Sequence, residues 1–391
     1  MRFAFDPQFL HMRTAVAILR FLCLPTLMTL PVAAADRDSW PEAVLKLKPP
    51  FAISAPPAPP STYGKIDLLD VDKTRALART ADDIARAGQI EDAIKIRYWY
   101  IVGAPDAWGR PNLAALYAAT RRTEAAVYWL QRAAIEEGLP PEEIKDYPAF
   151  EPLTASPDWP KLNEFLTAAA QAWNQSNFRR DILLTPRGYE VGKPLPVIII
   201  LHGHRSGPES FVRERAAMQK MCDELHLAVL SISGPMVFGP HSFAWPVDLR
   251  PVYQRVEEAL NSTKSKLTPD PVRLMMVGFS AGAQAAVEIA AYDPKHFLGA
   301  MGMSPGRSTG DRIVKNLKPD MLVGRRFLII NGSKEDPSFH AVGDMDTQAL
   351  KNAGAKALHE TVPNMAHQVP ANYEALLHDW AKLLLEMDGK P

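Results

Sequence analysis

Gly278-Phe279-Ser280-Ala281-Gly282 joins an apolar run, Leu274 to Val277, to the small, helix-favouring run Ala281 to Ala291. Those residues read as strand, tight turn and helix. A serine at the apex of so sharp a turn stands clear of the sheet with its hydroxyl exposed. A Cβ at Gly278 or Gly282 would collide with neighbouring backbone. Ser280 is therefore a candidate nucleophile, although G-x-S-x-G alone is a weak motif and an exposed serine in a Gly-rich turn is the bland alternative. A serine hydroxyl is a poor nucleophile at neutral pH and needs an adjacent base. The chain offers ten histidines from which to draw one.

The elements that must position Ser280 begin at Asn177. Strand patterns at Asp181 to Thr185, Pro196 to Leu201, Ala228 to Ser233, Val272 to Val277, Leu298 to Met303, Arg326 to Ile330 and Ala357 to Val362 interleave with helical ones. The helical patterns cover Pro208 to Leu225, Val252 to Leu267, Ala281 to Ala291, Thr347 to Ala353 and Asn372 to Met387. This alternation predicts an α/β fold with a mostly parallel, doubly wound sheet. Ligands of such sheets bind at the carboxyl ends of the strands, and the candidate residues fall just after strands.

Composition narrows the partners. Lys+Arg and Asp+Glu are both 44, a formal net charge of zero, which favours neither nucleic acid nor an anionic membrane. Residues 1–35 read as a signal peptide: Arg2 and Arg13 lead into an apolar stretch ending in Ala33-Ala34-Ala35 before Asp36. Arg20 interrupts the apolar run, so no lasting membrane insertion is expected after cleavage. The expected location is secreted or periplasmic. Cys23 would leave with the signal peptide, and Cys222, in an apolar-periodic helix, reads as a small buried residue. Residues 36–63 are rich in proline and read as an extended linker.

Residues 64–176 change to a helical, Ala- and Leu-rich pattern. Glu91/Glu124, Ala93/Ala126 and Ile94/Val127 share an offset of 33 residues, which resembles one unit of a tetratricopeptide array. A small all-α tetratricopeptide-like domain is expected, with a protein partner on its surface or a structural role shaping the site as the alternatives.

Residues 178–388 resemble the α/β-hydrolases, most closely the secreted esterases of the polyhydroxybutyrate-depolymerase, feruloyl-esterase and phospholipase/carboxylesterase type. The resemblance rests on Leu201-His202-Gly203-His204, Gly278 to Gly282, Asn331 to Pro337 and Met365-Ala366-His367. Their order, serine then acid then histidine, is the superfamily's. It implies a catalytic domain over 177–391 that cleaves small-molecule or polymeric carboxylic esters without a cofactor. By family position His367 is the general base. Asp336, in an Asp-Pro pair after a strand and Gly332, is the expected acid, with Glu335, at the commoner spacing from the glycine, as the alternative. The resemblance places an oxyanion hole on the backbone N–H groups of Ala281 and His204.

The aromatic-rich stretch Gly234 to Pro246 is expected to be an irregular loop, with Phe238 and Trp245 as candidates for an apolar substrate wall. Trp245 and Asp248 also resemble a Trp…Asp pair that is often structural in related esterases. His202 and His204 lack a third ligand nearby, so no metal is expected. Two rivals remain on sequence: a serine peptidase of the prolyl-oligopeptidase type, and a non-catalytic repeat-containing binding protein.

Overall fold

The computed structural model describes residues 39–60, 71–103, 109–144, 147–212, 215–306 and 316–387. The expected signal peptide lies outside the described residues. The chain divides into two compact units between Ala172 and Trp173.

In the first unit, helices Val71–Arg86 and Ile90–Gly103 pack as one pair and Arg110–Ala119 and Thr123–Glu137 as another, and Trp159–Asn174 follows. Helices Ile90–Gly103 and Thr123–Glu137 begin 33 residues apart, the offset of the sequence repeat. Their shared core includes Ile94, Leu113, Leu130, Phe150, Leu162 and Leu166, all buried. The described part of the proline-rich stretch is not a free spacer. Phe51 donates its N–H to Gln131 Oε1 at 2.9 Å and accepts from Gln131 Nε2 at 3.2 Å, and Trp99 Nε1 donates to Pro59 O at 3.2 Å. The stretch expected to be extended throughout also holds a short helix, Glu42–Leu45, and beyond it prolines remove backbone donors and resist helix formation, so Phe51 and Pro59 satisfy backbone groups against side chains.

The second unit is built on a seven-stranded sheet. The strands are β1 (Ile182–Leu184), β2 (Leu195–Leu201), β3 (Ala228–Ile232), β4 (Met236–Gly239), β5 (Ser242–Ala244), β6 (Pro269–Phe279), β7 (Phe297–Met303), β8 (Arg326–Gly332) and β9 (Lys356–Val362). The sheet order is β1-β3-β2-β6-β7-β8-β9, with β1 antiparallel and the other pairings parallel. β4 and β5 form a separate hairpin where an irregular loop was expected. Alternating side chains of β2 divide between two cores. Val197, Ile199 and Leu201 join the core that includes helices Leu249–Ser262 and Ala281–Tyr292. Ile198 and Ile200 join the core with helices Arg215–Leu225 and Tyr373–Met387. A strand covered on both faces needs the continuous β-branched run that the sequence supplies. Strand order and helix placement are those of the α/β-hydrolase fold.

Element ends shift where local chemistry decides them. The helix expected from Thr347 begins ten residues earlier, at Pro337, because Asp336 caps it and Pro337 suits its first turn. The helix expected to run to Leu267 stops at Ser262. Cys222 is buried, and burial pushes its thiol up to about 12, so it is inert.

The chain after β2 is fixed by His202, which is wholly buried. Its Nδ1–H donates to Gly203 O at 2.6 Å, and its Nε2 accepts from the Gly234 N–H at 3.0 Å. Trp245 Nε1–H donates to His202 O at 2.7 Å, and its ring lies 4.9 Å from the imidazole. With both ring nitrogens used, the neutral form is required. Burial, the largest influence, pushes His202 down to about 4. The unfolded chain therefore binds a proton that the folded chain refuses between about pH 6.5 and 4. Stability is full above that window and falls by about 3 kcal/mol across it from this residue alone. Denaturant titrations from pH 7.5 to 4.5 should show this loss in the wild type, and a shallower slope in His202→Gln.

Candidate active site

Ser280 sits between the end of β6 and the helix Ala281–Tyr292 with φ 55° and ψ −120°. A non-glycine residue there is strained by about 1–3 kcal/mol, which surrounding structure must hold in place. It does so through backbone contacts. Ser280 N–H donates to Met303 O at 2.9 Å, and Ser280 O accepts from Gln284 N–H at 3.2 Å. A Cβ on Gly278 would lie 2.2 Å from Gly282 O, and one on Gly282 would lie 2.3 Å from His202 O and 2.4 Å from Leu201 O. The two glycines thus bring the elbow, the helix start and the β2 exit into backbone contact.

His367 comes from the loop between β9 and the last helix. Its Nε2 lies 3.0 Å from Ser280 Oγ. Its ring lies 5.0 Å from that of Phe279 and 4.9 Å from that of Phe339, which limits its swing. The loop is stitched to the turn after β8. Ser333 N–H donates to Val362 O at 2.9 Å, Lys334 N–H to Met365 O at 2.9 Å, and Asn364 N–H to Ser333 Oγ at 2.8 Å. A Cβ on Gly332 would meet Met365 O at 2.2 Å, so the two loops approach as closely as glycine permits.

The carboxylate facing His367 belongs to Glu335, not Asp336. Glu335 Oε1 is 2.7 Å from His367 Nδ1, and the Glu335 side chain is fully buried. Its Oε2 accepts from Asn331 Nδ2 at 2.7 Å and from the Gly332 N–H at 3.1 Å. Burial pushes the carboxyl up, but hydrogen bonds, those from His367, Asn331 and the Gly332 amide among them, outweigh it and hold the group below the ordinary glutamate range. Asp336 is exposed. Its Oδ1 accepts from Ser338 N–H at 2.9 Å and from the Ser338 hydroxyl at 2.6 Å, as an N-cap does. The Asp-Pro pair is therefore the start of a helix. The signal for Glu335 was its count of three from Gly332, which matched the commoner spacing.

Ala281 is the first residue of its helix, where N–H groups have no acceptor within the helix. His204 is exposed in the turn after β2, and a Cβ on the preceding Gly203 would lie 2.9 Å from the Phe279 ring. Both segments flank the elbow, and their N–H groups are candidates to receive negative charge on a substrate oxygen.

Phe238 lies on β4, half-buried, with its ring 6.1 Å from that of His204 and the Arg205 guanidinium 4.3 Å from its centroid. Trp245 does not form a wall. It is 7% exposed, and its indole is committed to His202, as a buried N–H must be to some acceptor. Asp248 caps helix Leu249–Ser262 by accepting from Arg250 N–H at 3.1 Å. Among the described residues no cluster of three or more His, Cys, Asp or Glu could hold a metal ion, and no helix is long and apolar enough to cross a membrane.

No family model matches this chain, and neither does any curated protein. Among solved structures, an uncharacterized protein from Bacillus cereus is 16% identical over 80% of this chain and 98% of its own, with a TM-score of 0.41. The Bacillus cereus carboxylesterase is 16% identical, covering 54% of this chain and 97% of its own, at 0.41. A ferulic acid esterase is 15% identical, covering 54% and 92%, at 0.43.

The two acidic neighbours separate by substitution. Glu335→Gln should slow labelling of Ser280 by a fluorophosphonate on the order of 10³-fold or more, because the imidazole loses its orienting anion. Asp336→Ala should cost about 1 kcal/mol through the lost cap and leave the labelling rate near wild type. Mass-spectrometric labelling kinetics read both.

Proposed function

We propose that this chain is an exported serine hydrolase of carboxylic esters, acting through Ser280, His367 and Glu335 without a cofactor. The observation that carries the reading is the unbroken line from Ser280 Oγ to His367 Nε2 at 3.0 Å and from His367 Nδ1 to Glu335 Oε1 at 2.7 Å. That line follows a strained elbow of the kind that exposes a nucleophile. The exported location rests on the signal-like composition of residues 1–35.

Ser280 Oγ attacks the ester carbonyl as its proton passes to His367 Nε2. Glu335 holds the imidazole in the Nδ1–H tautomer and stabilises the imidazolium that forms. The Ala281 and His204 N–H groups receive the charge on the carbonyl oxygen. His367 then gives its proton to the departing alcohol, leaving an acyl-serine. Water attacks that acyl group, losing its proton to His367, and the collapse of the second tetrahedral species frees the acid and restores Ser280. Phe238 is the remaining candidate for a substrate contact beside the His204 turn.

Hydrolysis of a p-nitrophenyl ester series, acetate to long acyl chains, is the direct test. Ser280→Ala should lower kcat by on the order of 10⁴-fold or more while leaving the unfolding transition intact. Peptide cleavage without ester turnover would replace the ester reading with a peptidase one, and turnover unchanged in Ser280→Ala would remove the mechanism.

A further inference from the structure

The hydrogen-bonded line through the site does not end at Glu335. Asn331, at the end of β8 and wholly buried, donates through Nδ2 to Glu335 Oε2 at 2.7 Å. A carboxylate can only accept, so this bond fixes which way the amide faces. Asn331 Oδ1 then points at His359 Nε2, 2.8 Å away. An amide oxygen also only accepts, so His359 Nε2 carries a hydrogen. On the other side of the ring, His359 Nδ1 is 2.8 Å from Asp344 Oδ1 on helix Pro337–Asn352. The two contacts tie β9, through one ring, to β8 and to the helix.

We propose that His359 is a positioning residue for the Ser280–His367–Glu335 set: its Nε2–H holds the Asn331 amide, and Asn331 in turn holds Glu335 against His367. This inference rests on the reading of that set as catalytic. The His359 side chain is 11% exposed and the Asp344 side chain 77%, so the line runs from solvent to the nucleophile. A Cβ on Gly343 would lie 2.7 Å from both Asn331 Oδ1 and His359 Nε2, so glycine at this helix position leaves room for the junction. The groups facing His359 among the described residues are Asp344 and Gly343 from the helix, Asn331 from β8, and His340, whose ring lies 6.1 Å away and whose Nε2 is 3.0 Å from Gly332 O. Those facing His367 are Glu335, Ser280, Phe279 and Phe339.

His359→Gln keeps a donor toward Asn331. His359→Leu removes it and leaves the Asn331 oxygen buried without that partner.

The experiment measures ester kinetics of the full chain in the wild type and both variants. In His359→Leu kcat should fall on the order of tenfold at unchanged KM, because Asn331 is no longer held, and in His359→Gln kcat should recover to within about twofold of wild type. A wild-type kcat in His359→Leu overturns the proposal, and so does a fall in His359→Gln as large as that in His359→Leu, which leaves His359 as packing alone. If His359→Leu does not fold, His359→Gln decides, a fall of about tenfold or more there overturning the proposal. Absence of ester turnover in the wild type would overturn the esterase reading, while the rates of Ser280 labelling by a fluorophosphonate in the same variants would still decide the link between His359 and the set.

Discussion

Everything at the candidate site depends on one close approach of backbones. The Gly282 Cα lies so near the Leu201 and His202 carbonyls that no side chain fits between them, and Gly278 stands in the same relation to Gly282. This approach lets β6 turn into a helix within one residue. It also forces Ser280 into a conformation that serine otherwise avoids. The strain is held because both flanks are fixed: Ser280 is bonded across to the end of β7, and the chain leaving β2 is clamped by His202, Gly234 and Trp245. A buried neutral imidazole and a buried indole satisfy each other's surroundings there, so the polar groups are not left orphaned in the core.

A second seam completes the arrangement. The turn after β8 and the loop after β9 are joined by three hydrogen bonds and by the contact at Gly332. Because that seam is tight, Glu335 and His367 are held as a unit, although they are 32 residues apart in the chain. The side chain of Asp336 serves the helix that follows, and that of Glu335 serves the imidazole. Adjacent residues on a tight turn point in different directions, so only one of two neighbouring carboxylates could face His367. The hydrogen bonds converging on Glu335 outweigh its burial and keep it ionised where the imidazolium would form.

The helical unit solves a different problem. Its proline-rich stretch has few donors of its own, and the buried Gln131 amide of helix Thr123–Glu137 bonds both backbone polar groups of Phe51. Each such bond contributes about 1 kcal/mol. The Phe51 ring lies beneath the Lys161 ammonium, 5.0 Å from its centroid, so the segment is held by polar and aromatic contacts together.

Much of this was legible in the sequence. The alternation of β-branched runs with helical periods determined a mostly parallel sheet, since only a strand covered on both faces reads as Val-Ile-Ile-Ile-Leu. Gly278 and Gly282 determined the elbow, because the turn admits no Cβ. The order of motifs after β2, β6, β8 and β9 singled out Ser280 and His367, which the fold then brings within hydrogen-bonding distance. What the sequence did not decide is direction. Asp336 reads as an acid beside a proline; only the packed turn shows that it caps a helix and that the buried carboxylate is Glu335. Trp245 reads as an aromatic available to a ligand until its N–H is seen to be spent on His202. The line from Glu335 through Asn331 to His359 and Asp344 joins β8, β9 and a helix whose residues carry no common motif. Local pattern sets the period and the sharp turns, because these depend on neighbours along the chain. Which side chain faces which is set by contacts between distant segments, and it exists only once they are packed.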